Sequence, residues 1–463
     1  MAIQEIIQFT QETINKFGGK SDDPNKNFVF RNNTKGDALE EGGAYFGIIR
    51  PEEEPTGSFH DFCLVIFPDP NDGQEPWLIS LGIGTLGFLN DYDLSLKPGL
   101  RRMYESILSA SGFCKTDLSD TEKPLPVEFQ EKLPHLAGTF SKYSKVLPVC
   151  DILNNPLTDE SKDQIAGFIA IYAKARGWIK YKYQRIDYEK VINKLKKAPS
   201  INDEEKVLDL ILHRKFVILT GAPGTGKTRM VKIIQKKLDA VSFFIQFHAE
   251  TDYSDFIYGI VPNLSQNNLG YSAKFGKFYE SLKYASENPD KTVLLIVDEI
   301  NRANLANILG PIFYLFEYRL THAEASEKIE ICPGFSINKI PDNFFMIGTM
   351  NTADRSLAVV DFALRRRFAW YDMKPQLVDQ DYFFREDFSK IQEIFFWHAN
   401  SEELNLQPGQ GYFLADNEDE FKIRVEFELL PLIKEYLQEQ LLLPAKEDFN
   451  DYFYSRIGKN LYS

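Results

Sequence analysis

From residue 201 onward, short apolar runs alternate with stretches in which apolar residues recur every three to four positions. Short apolar runs bounded by polar residues are typical of buried strands, and the wider spacing is typical of amphipathic helices. The predicted strands lie at 216–220, 241–247, 292–298 and 344–350, with predicted helices from 227, around 275–285 and through 305–318. This alternation predicts an α/β fold with a parallel sheet that carries helices on both faces.

The two ends of the chain have other patterns. Residues 1–197 contain a helical opening, apolar runs at 62–67 and 77–81, and helical material after Leu100, which together predict a separate α+β module. Beyond 374 the pattern is largely helical, as in a small lid. A break near 198–202 supplies Ser200 or Asn202 as a helix cap before three acidic residues. We therefore predict three domains, at 1–197, 198–373 and 374–463.

Composition limits the class of protein. The chain has 463 residues, of which 43% are hydrophobic and 14% aromatic, enough for several packed cores. No apolar run approaches the roughly eighteen residues that span a bilayer, and the start lacks the pattern of a secretory signal. Four cysteines lie far apart with no C-x-x-C, which favours buried thiols over zinc or disulfides. We expect a cytoplasmic protein without a membrane segment.

One basic segment contrasts with the acidic whole. The chain has a net charge of −14, yet 174–197 contains nine Lys and Arg against two acids, and Trp178, Tyr181 and Tyr183 lie among them. Cations interleaved with aromatic rings suit a nucleic-acid backbone and its bases. A solvated connector helix with its aromatic rings packed inward would have the same composition, and this alternative stays open. The candidate DNA contacts are Lys174, Arg176, Trp178, Lys180, Lys182 and Arg185.

A phosphate-binding motif, Gly-x-x-x-x-Gly-Lys-Thr, follows the first predicted strand directly, at 221–228. In such a loop the glycines let backbone N–H groups surround a phosphate, the lysine reaches the β- and γ-phosphate oxygens, and the hydroxyl coordinates Mg²⁺. We therefore predict that 198–373 binds a nucleotide together with Mg²⁺. The predicted binding residues are Gly221, Pro223, Gly224, Thr225, Gly226, Lys227 and Thr228, and Thr228 is also a predicted metal ligand.

Polar residues end the third and fourth predicted strands of the domain. Asp298 and Glu299 follow the strand at 292–298, and we predict that Asp298 holds Mg²⁺ through water while Glu299 polarises the attacking water. Asn351 ends the strand at 344–350, where a neutral amide can hold the lytic water or a γ-phosphate oxygen. These three side chains complete a predicted hydrolytic site.

Three arginines in succession occupy 365–367. A guanidinium that reaches the γ-phosphate of a neighbouring subunit would stabilise the charge of the transition state, and Arg365 and Arg366 are our candidates. Such a group acts only in an assembly. A solvated basic patch is the alternative interpretation.

Two strings resemble a known family. The run Asp-Glu-Ile-Asn-Arg-Ala-Asn at 298–304 and the run Met-Asn-Thr-Ala-Asp-Arg-Ser at 350–356 closely resemble McrB-type AAA+ nucleoside triphosphatases, the motor subunits of modification-dependent restriction systems. Residues 247–259 are also similar to this family, as are 411–413 and 429–436 in the predicted lid. The resemblance covers about 198–440, and residues 1–197 lie outside it.

The resemblance implies an AAA+ P-loop domain in a hexameric ring that hydrolyses GTP, recruits an McrC-type nuclease subunit and remodels or moves along DNA. It ties Asn351 to hydrolysis, assigns Asp354 and Arg355 to the face between subunits, and makes residues 1–197 a specificity or sensor module. No motif here selects guanine over adenine, so both GTP and ATP stay open. A MoxR-like protein-remodelling ATPase and a nucleotide-gated binding scaffold are the alternative functions.

Overall fold

The computed structural model describes residues 2–22, 24–71, 75–196, 203–263, 270–316, 328–353 and 365–461. The chain divides into two compact units, one of Met1–Pro199 with Phe396–His398 and one of Ser200–Phe395 with Ala399–Ser463. Within the described residues, no helix is long and apolar enough to cross a membrane. The four cysteines are free thiols; Cys63, Cys150 and Cys332 are buried and Cys114 is half-buried.

The first unit contains a six-stranded sheet and eight α-helices in the residues that the structure describes. Its strands are β1 Val29–Asn33, β2 Tyr45–Ile49, β3 Phe62–Phe67, β4 Trp77–Ile83, β5 Phe113–Cys114 and β6 Val149–Leu153. Its helices are α1 Ala2–Lys16, α2 Asp37–Glu40, α3 Tyr92–Ser95, α4 Pro98–Ile107, α5 Val127–Glu131, α6 Ala137–Tyr143, α7 Asp159–Ala175 and α8 Lys182–Leu195. The strands pair antiparallel in the order β1-β2-β3-β4-β6-β5.

Both faces of this antiparallel sheet are covered, which explains why β3 and β4 are apolar without alternation. Trp77 and Ile79 belong to the core that includes Phe168 of α7. Leu78, between them, belongs to a second core with Phe140 of α6. The predicted α+β module is confirmed.

The second unit begins with a parallel sheet. Its strands are β7 Phe216–Gly221, β8 Val241–Gln246, β11 Val293–Asp298, β14 Phe344–Asn351 and β15 Ala369–Asp372, paired parallel in the order β15-β7-β14-β11-β8. Two hairpins accompany it, β9 Tyr258–Asn263 with β10 Gly270–Phe275 and β12 Ile329–Cys332 with β13 Phe335–Ile337. Its helices are α9 Asp203–Arg214, α10 Lys227–Lys237, α11 Tyr253–Phe256, α12 Lys277–Glu287 and α13 Leu305–Leu309.

Helices lie on both faces of the parallel sheet. Val217 of β7 packs in a core with α9 and α10, whereas Ile218 packs on the other face with α12 and α13. The predicted sheet is therefore confirmed, and the four predicted strands correspond to β7, β8, β11 and β14. The helix predicted through 305–318 ends at Leu309, and 3-10 turns continue it over Gly310–Phe316.

The C-terminal part of this unit is helical and has its own core. The helices are α14 Arg385–His398, α15 Glu418–Arg424, a π-helical turn at Val425–Leu429, α16 Leu430–Gln438 and α17 Lys446–Ile457. Phe388, Phe413, Phe421 and Ile433 are fully buried in this core. The predicted helical lid is confirmed as a structural element of the second unit.

Candidate functional site

The phosphate-binding motif forms a turn between β7 and α10. Gly224 and Gly226 have positive φ angles of 79° and 89°, a region that glycine enters without the steric cost other residues meet. Thr225 is buried, and its hydroxyl donates to the carbonyl oxygen of Ala222 at 2.9 Å. The sequence therefore folds locally into the strand, loop and helix that cradle a phosphate.

Lys227 opens α10 with its ammonium turned back into the loop. Nζ donates to the carbonyl oxygens of Gly221 at 2.8 Å and Ala222 at 3.0 Å. Burial lowers the pKa of Lys227 to about 8, although the negative charges of Glu299 and Asp298 oppose that shift. A phosphate in the loop would supply the charge partner that this buried ammonium needs.

The acidic residues and Asn351 meet because β11 and β14 are parallel neighbours, with Val297 opposite Gly348. The hydroxyl of Thr349 donates to Oδ1 of Asp298 and accepts from the backbone N–H of Glu299 at 3.2 Å. Asn351 Nδ2 donates to Oε1 of Glu299 at 2.8 Å. Residues at the end of β14 thus orient the carboxylates of Asp298 and Glu299 at the end of β11.

Glu299 has a strained backbone. Its φ of 55° and ψ of 45° lie in the left-handed region, which costs a non-glycine residue on the order of 1–3 kcal/mol. Its second carboxylate oxygen accepts from Nε of Arg302, one helical turn later. Strain of this kind concentrates at functional sites, where the surrounding contacts hold the residue in place.

A cleft of about 450 Å³ brings the predicted residues together. It is lined by Pro223, Gly224, Gly226, Lys227, Thr228, Arg229, Asp298, Glu299, Thr349, Asn351, Val378, Gln380, Gln410, Gly411 and Leu414. The Thr228 hydroxyl and the Asp298 carboxylate are oxygen donors of the kind that Mg²⁺ prefers, so the residues fit that ion. Lys227, the predicted metal ligands Thr228 and Asp298, the predicted base Glu299 and the amide of Asn351 therefore line one cleft.

The lid closes one side of the phosphate loop through its backbone. Gly409 N–H donates to the carbonyl oxygen of Pro223, and Gly411 N–H donates to that of Gly224, both at 2.9 Å. Gln410 Nε2 donates to the carbonyl oxygen of Thr225 at 2.9 Å. A Cβ at Gly409 would lie 2.1 Å from the carbonyl carbon of Gly224, so this contact requires glycine.

Among the side chains that sequence reasoning missed are three that bind the predicted residues directly. Thr349 was overlooked although it lies two residues before Asn351, and Arg302 although it lies one helical turn after Glu299. No sequence pattern marks Gln410, because only the fold brings it to Thr225 of the phosphate loop, 185 residues earlier.

The arginines at 365–367 lie outside the set of residues that line the cleft. The Arg365 guanidinium lies over the Trp370 ring at 5.5 Å, and that of Arg367 lies over Phe313 at 5.0 Å. Arg366 is exposed. Asp354 and Arg355, assigned by resemblance to a subunit face, lie outside the described residues.

The structure separates the basic segment into buried and exposed residues. Arg176 is bound to Asp91 by hydrogen bonds of 2.7 Å, and burial is the main influence on its pKa, which its partners nevertheless raise. Trp178 is only 8% exposed and packs against Phe28 and Tyr172. The Arg176 guanidinium has a buried partner and the Trp178 ring is almost fully covered, so both residues pack in the core, which argues against the prediction that they contact DNA.

The remaining candidates lie at the surface. Lys180, Lys182 and Arg185 are exposed, and Lys174 is half-buried with its ammonium 5.9 Å from the Tyr188 ring. Tyr181 and Tyr183 are each 60% exposed. The exposed candidates therefore lie in the last stretch before α8 and in the first turn of that helix.

Residues 216–368 match the model of the AAA domain, dynein-related subfamily. Over 181 residues the chain is 39% identical to the type IV methyl-directed restriction enzyme EcoKMcrB subunit of Escherichia coli, covering 37% of this chain and 38% of that protein. Over 191 residues it is 28% identical to the type II restriction enzyme BsuMI component YdiS of Bacillus subtilis, covering 33% of this chain and 55% of that protein. The chain thus spans about two fifths and about half of the lengths of these relatives.

Proposed function

We propose that this chain, whose residues 216–368 are an AAA nucleoside triphosphatase domain of the McrB type, is the ring-forming motor subunit of a DNA restriction complex. A separate McrC-type nuclease subunit would cut the DNA, and residues 1–197 would sense or select the target. The ring would contain six subunits and act on phage DNA in the cytoplasm. The proposal rests on the cleft that joins the phosphate loop to Asp298, Glu299 and Asn351.

Each side chain of the cleft has a separate proposed role in hydrolysis. Lys227 and the loop N–H groups would bind the β- and γ-phosphates, and Thr228 and Asp298 would hold Mg²⁺, which neutralises phosphate charge when bound. Glu299 would take the proton of the attacking water, and Asn351, hydrogen-bonded to Glu299, would position that water. Each Glu299 oxygen accepts one hydrogen bond and keeps a second lone pair, with which it could accept that proton.

Charge from a neighbouring subunit would complete the site. Arg365 and Arg366 lie outside the cleft of their own subunit, which fits a role at the cleft of the next one. In the same proposal, Asp354 and Arg355 would lie at the face between subunits. GTP is the proposed substrate on the resemblance to McrB, and ATP is its competitor in the test.

A reconstitution experiment tests the restriction function. The purified chain is mixed with a nuclease subunit encoded beside it, modified or unmodified DNA, Mg²⁺ and either GTP or ATP. We expect cleavage only when chain, partner and hydrolysable nucleotide are all present, and none with Lys227→Ala. Cleavage that proceeds without this chain contradicts the proposal. Hydrolysis that a protein client stimulates and DNA does not would instead favour a MoxR-like remodelling function.

A further inference from the structure

Tyr181 and Tyr183 form an exposed aromatic pair on the first unit. Their ring centroids are 5.7 Å apart and the planes differ by 5°, so the rings are stacked. Each residue keeps 60% of its surface exposed. Two large rings that stack on each other in solvent, instead of packing into the core, leave flat apolar faces uncovered.

The backbone beneath this pair is rigidly anchored. Trp178, three residues before Tyr181, is 8% exposed and packs against Tyr172 at 5.6 Å. The Gln184 side chain, 4% exposed, accepts from the backbone N–H groups of Lys180 at 2.9 Å and Tyr181 at 3.0 Å. The backbone that carries the two rings is therefore held in place, which lowers the conformational entropy that the segment loses when a ligand binds the rings.

Unpaired positive charge surrounds the rings. Lys180, Lys182, Arg185 and Lys190 are exposed, and no ion-pair partner for them occurs within the part of the chain that the structure describes. Of the two acidic residues in this segment, Asp187 forms an ion pair with Lys16, with 3.7 Å between Oδ2 and Nζ, and Glu189 is exposed. The surface thus keeps an excess of positive charge on a chain whose net charge is −14.

We propose that the Tyr181–Tyr183 stack, with Lys180, Lys182 and Arg185, binds single-stranded nucleic acid by stacking an unpaired base on the exposed ring face. Every base has a π-face, whereas in a duplex neighbouring bases cover those faces, so stacking favours a single strand. The lysines and the arginine would contact the phosphates on either side. This inference deepens the proposed function, because it rests on the DNA contact and assigns it to one site.

The test measures binding of a fluorescein-labelled oligothymidylate and of a matched duplex by fluorescence anisotropy, with the full-length chain and no nucleotide. Tyr181→Ala/Tyr183→Ala should weaken binding of the single strand about tenfold or more, and Tyr181→Phe/Tyr183→Phe should retain it. Tyr454→Ala is the matched control, because Tyr454 is 61% exposed but belongs to the other unit. Circular dichroism checks that each variant is folded.

A salt titration separates stacking from charge. Lys180→Ala/Lys182→Ala should reduce the slope of log affinity against log salt by about 1.4, at roughly 0.7 for each phosphate contact, while the tyrosine variant leaves the slope unchanged. Equal affinity for the duplex, undiminished binding by the double alanine variant of the tyrosines, or preferential binding to anionic vesicles or an acidic peptide would overturn the proposal.

Hydrolysis without DNA is measured alongside. We expect the tyrosine variant to hydrolyse nucleotide at the wild-type rate, since its rings lie outside the cleft. A chain that binds the single strand but hydrolyses no nucleotide would contradict the proposed motor function and support the single-strand site. A chain that hydrolyses nucleotide but binds no single strand would contradict the single-strand site and leave the proposed motor function supported.

Discussion

Glu299 is the residue on which the proposed chemistry depends most. It is held in a left-handed backbone conformation, and donors from Asn351 and Arg302 occupy both carboxylate oxygens. The N–H of Glu299 is also fixed, by the hydroxyl of Thr349. These contacts position the carboxylate beside the phosphate loop, as a base that acts on a bound water must be positioned.

Glu299→Gln should abolish turnover and preserve nucleotide binding. The amide has nearly the same shape but cannot accept the proton of water, so we expect the rate of phosphate release to fall on the order of 10²- to 10⁴-fold. Binding of a fluorescent nucleotide should stay near wild type. Glu330→Gln, at an exposed position outside the cleft, is the matched control. Wild-type turnover by Glu299→Gln would show that another group is the base.

The pKa of Lys227 predicts a pH dependence of nucleotide affinity. In the free protein burial lowers this pKa to about 8, whereas bound phosphate favours the ammonium, so binding takes up a proton. The apparent Kd should therefore rise with pH above about 8, by about tenfold between pH 7 and pH 9. Calorimetry in two buffers of different ionisation enthalpy measures the proton uptake. A Kd that is flat over this range would contradict the shift.

Local chemistry made much of the cleft predictable from sequence. The phosphate loop lies in one stretch of eight residues, and its glycines have the positive φ angles that such a turn favours. The position of Thr349 two residues before Asn351 is a local signal, but its contact with Asp298 is not, because that contact depends on the register of β11 against β14. The partner of Arg176 could not be predicted either, because Asp91 is distant in sequence and only the fold brings the two side chains together.

At the scale of elements, the strands inside the parallel sheet were the most predictable. Buried on both faces, β7, β11 and β14 are continuous apolar runs. By contrast, β15 is a short edge strand with one buried residue in four, and its pairing with β7 defines it. The hairpin of β9 and β10 escaped prediction because its exposed residues include apolar ones, Ile260 and Tyr271.

The contact between lid and phosphate loop yields a prediction for one glycine. Gly409→Ala places a methyl group 2.1 Å from the Gly224 backbone, although its φ of −71° suits alanine, so the contact must open. We expect at least about a tenfold loss in nucleotide affinity or turnover, because the lid lines the same cleft. Steady-state kinetics separate KM from kcat.

Gly310→Ala is the matched control for that variant. The same methyl group would meet nothing within 4 Å at Gly310, whose φ of −45° alanine also adopts. This control should hydrolyse nucleotide as the wild type does. If Gly409→Ala matches it, the lid contact has no part in nucleotide handling.

At the scale of the whole molecule, the proposed ring predicts complementation between subunits. Arg365→Ala/Arg366→Ala and Glu299→Gln should each be inactive alone, since one lacks the arginine pair and the other the base. An equal mixture should recover about one quarter of the wild-type rate, because half of the sites keep Glu299 and half of their neighbours keep the arginines. A mixture that stays inactive would contradict a contribution from the neighbouring subunit.

Nucleotide hydrolysis by the purified chain tests the central claim most directly. Phosphate release is measured with GTP and with ATP, in Mg²⁺, for the wild type and for Lys227→Ala. We predict release from at least one nucleotide by the wild type, with a preference for GTP, and its loss in the variant that lacks the ammonium of the phosphate loop. Equal rates for the two proteins, or no turnover by the wild type even with DNA and the nuclease subunit present, would contradict the account.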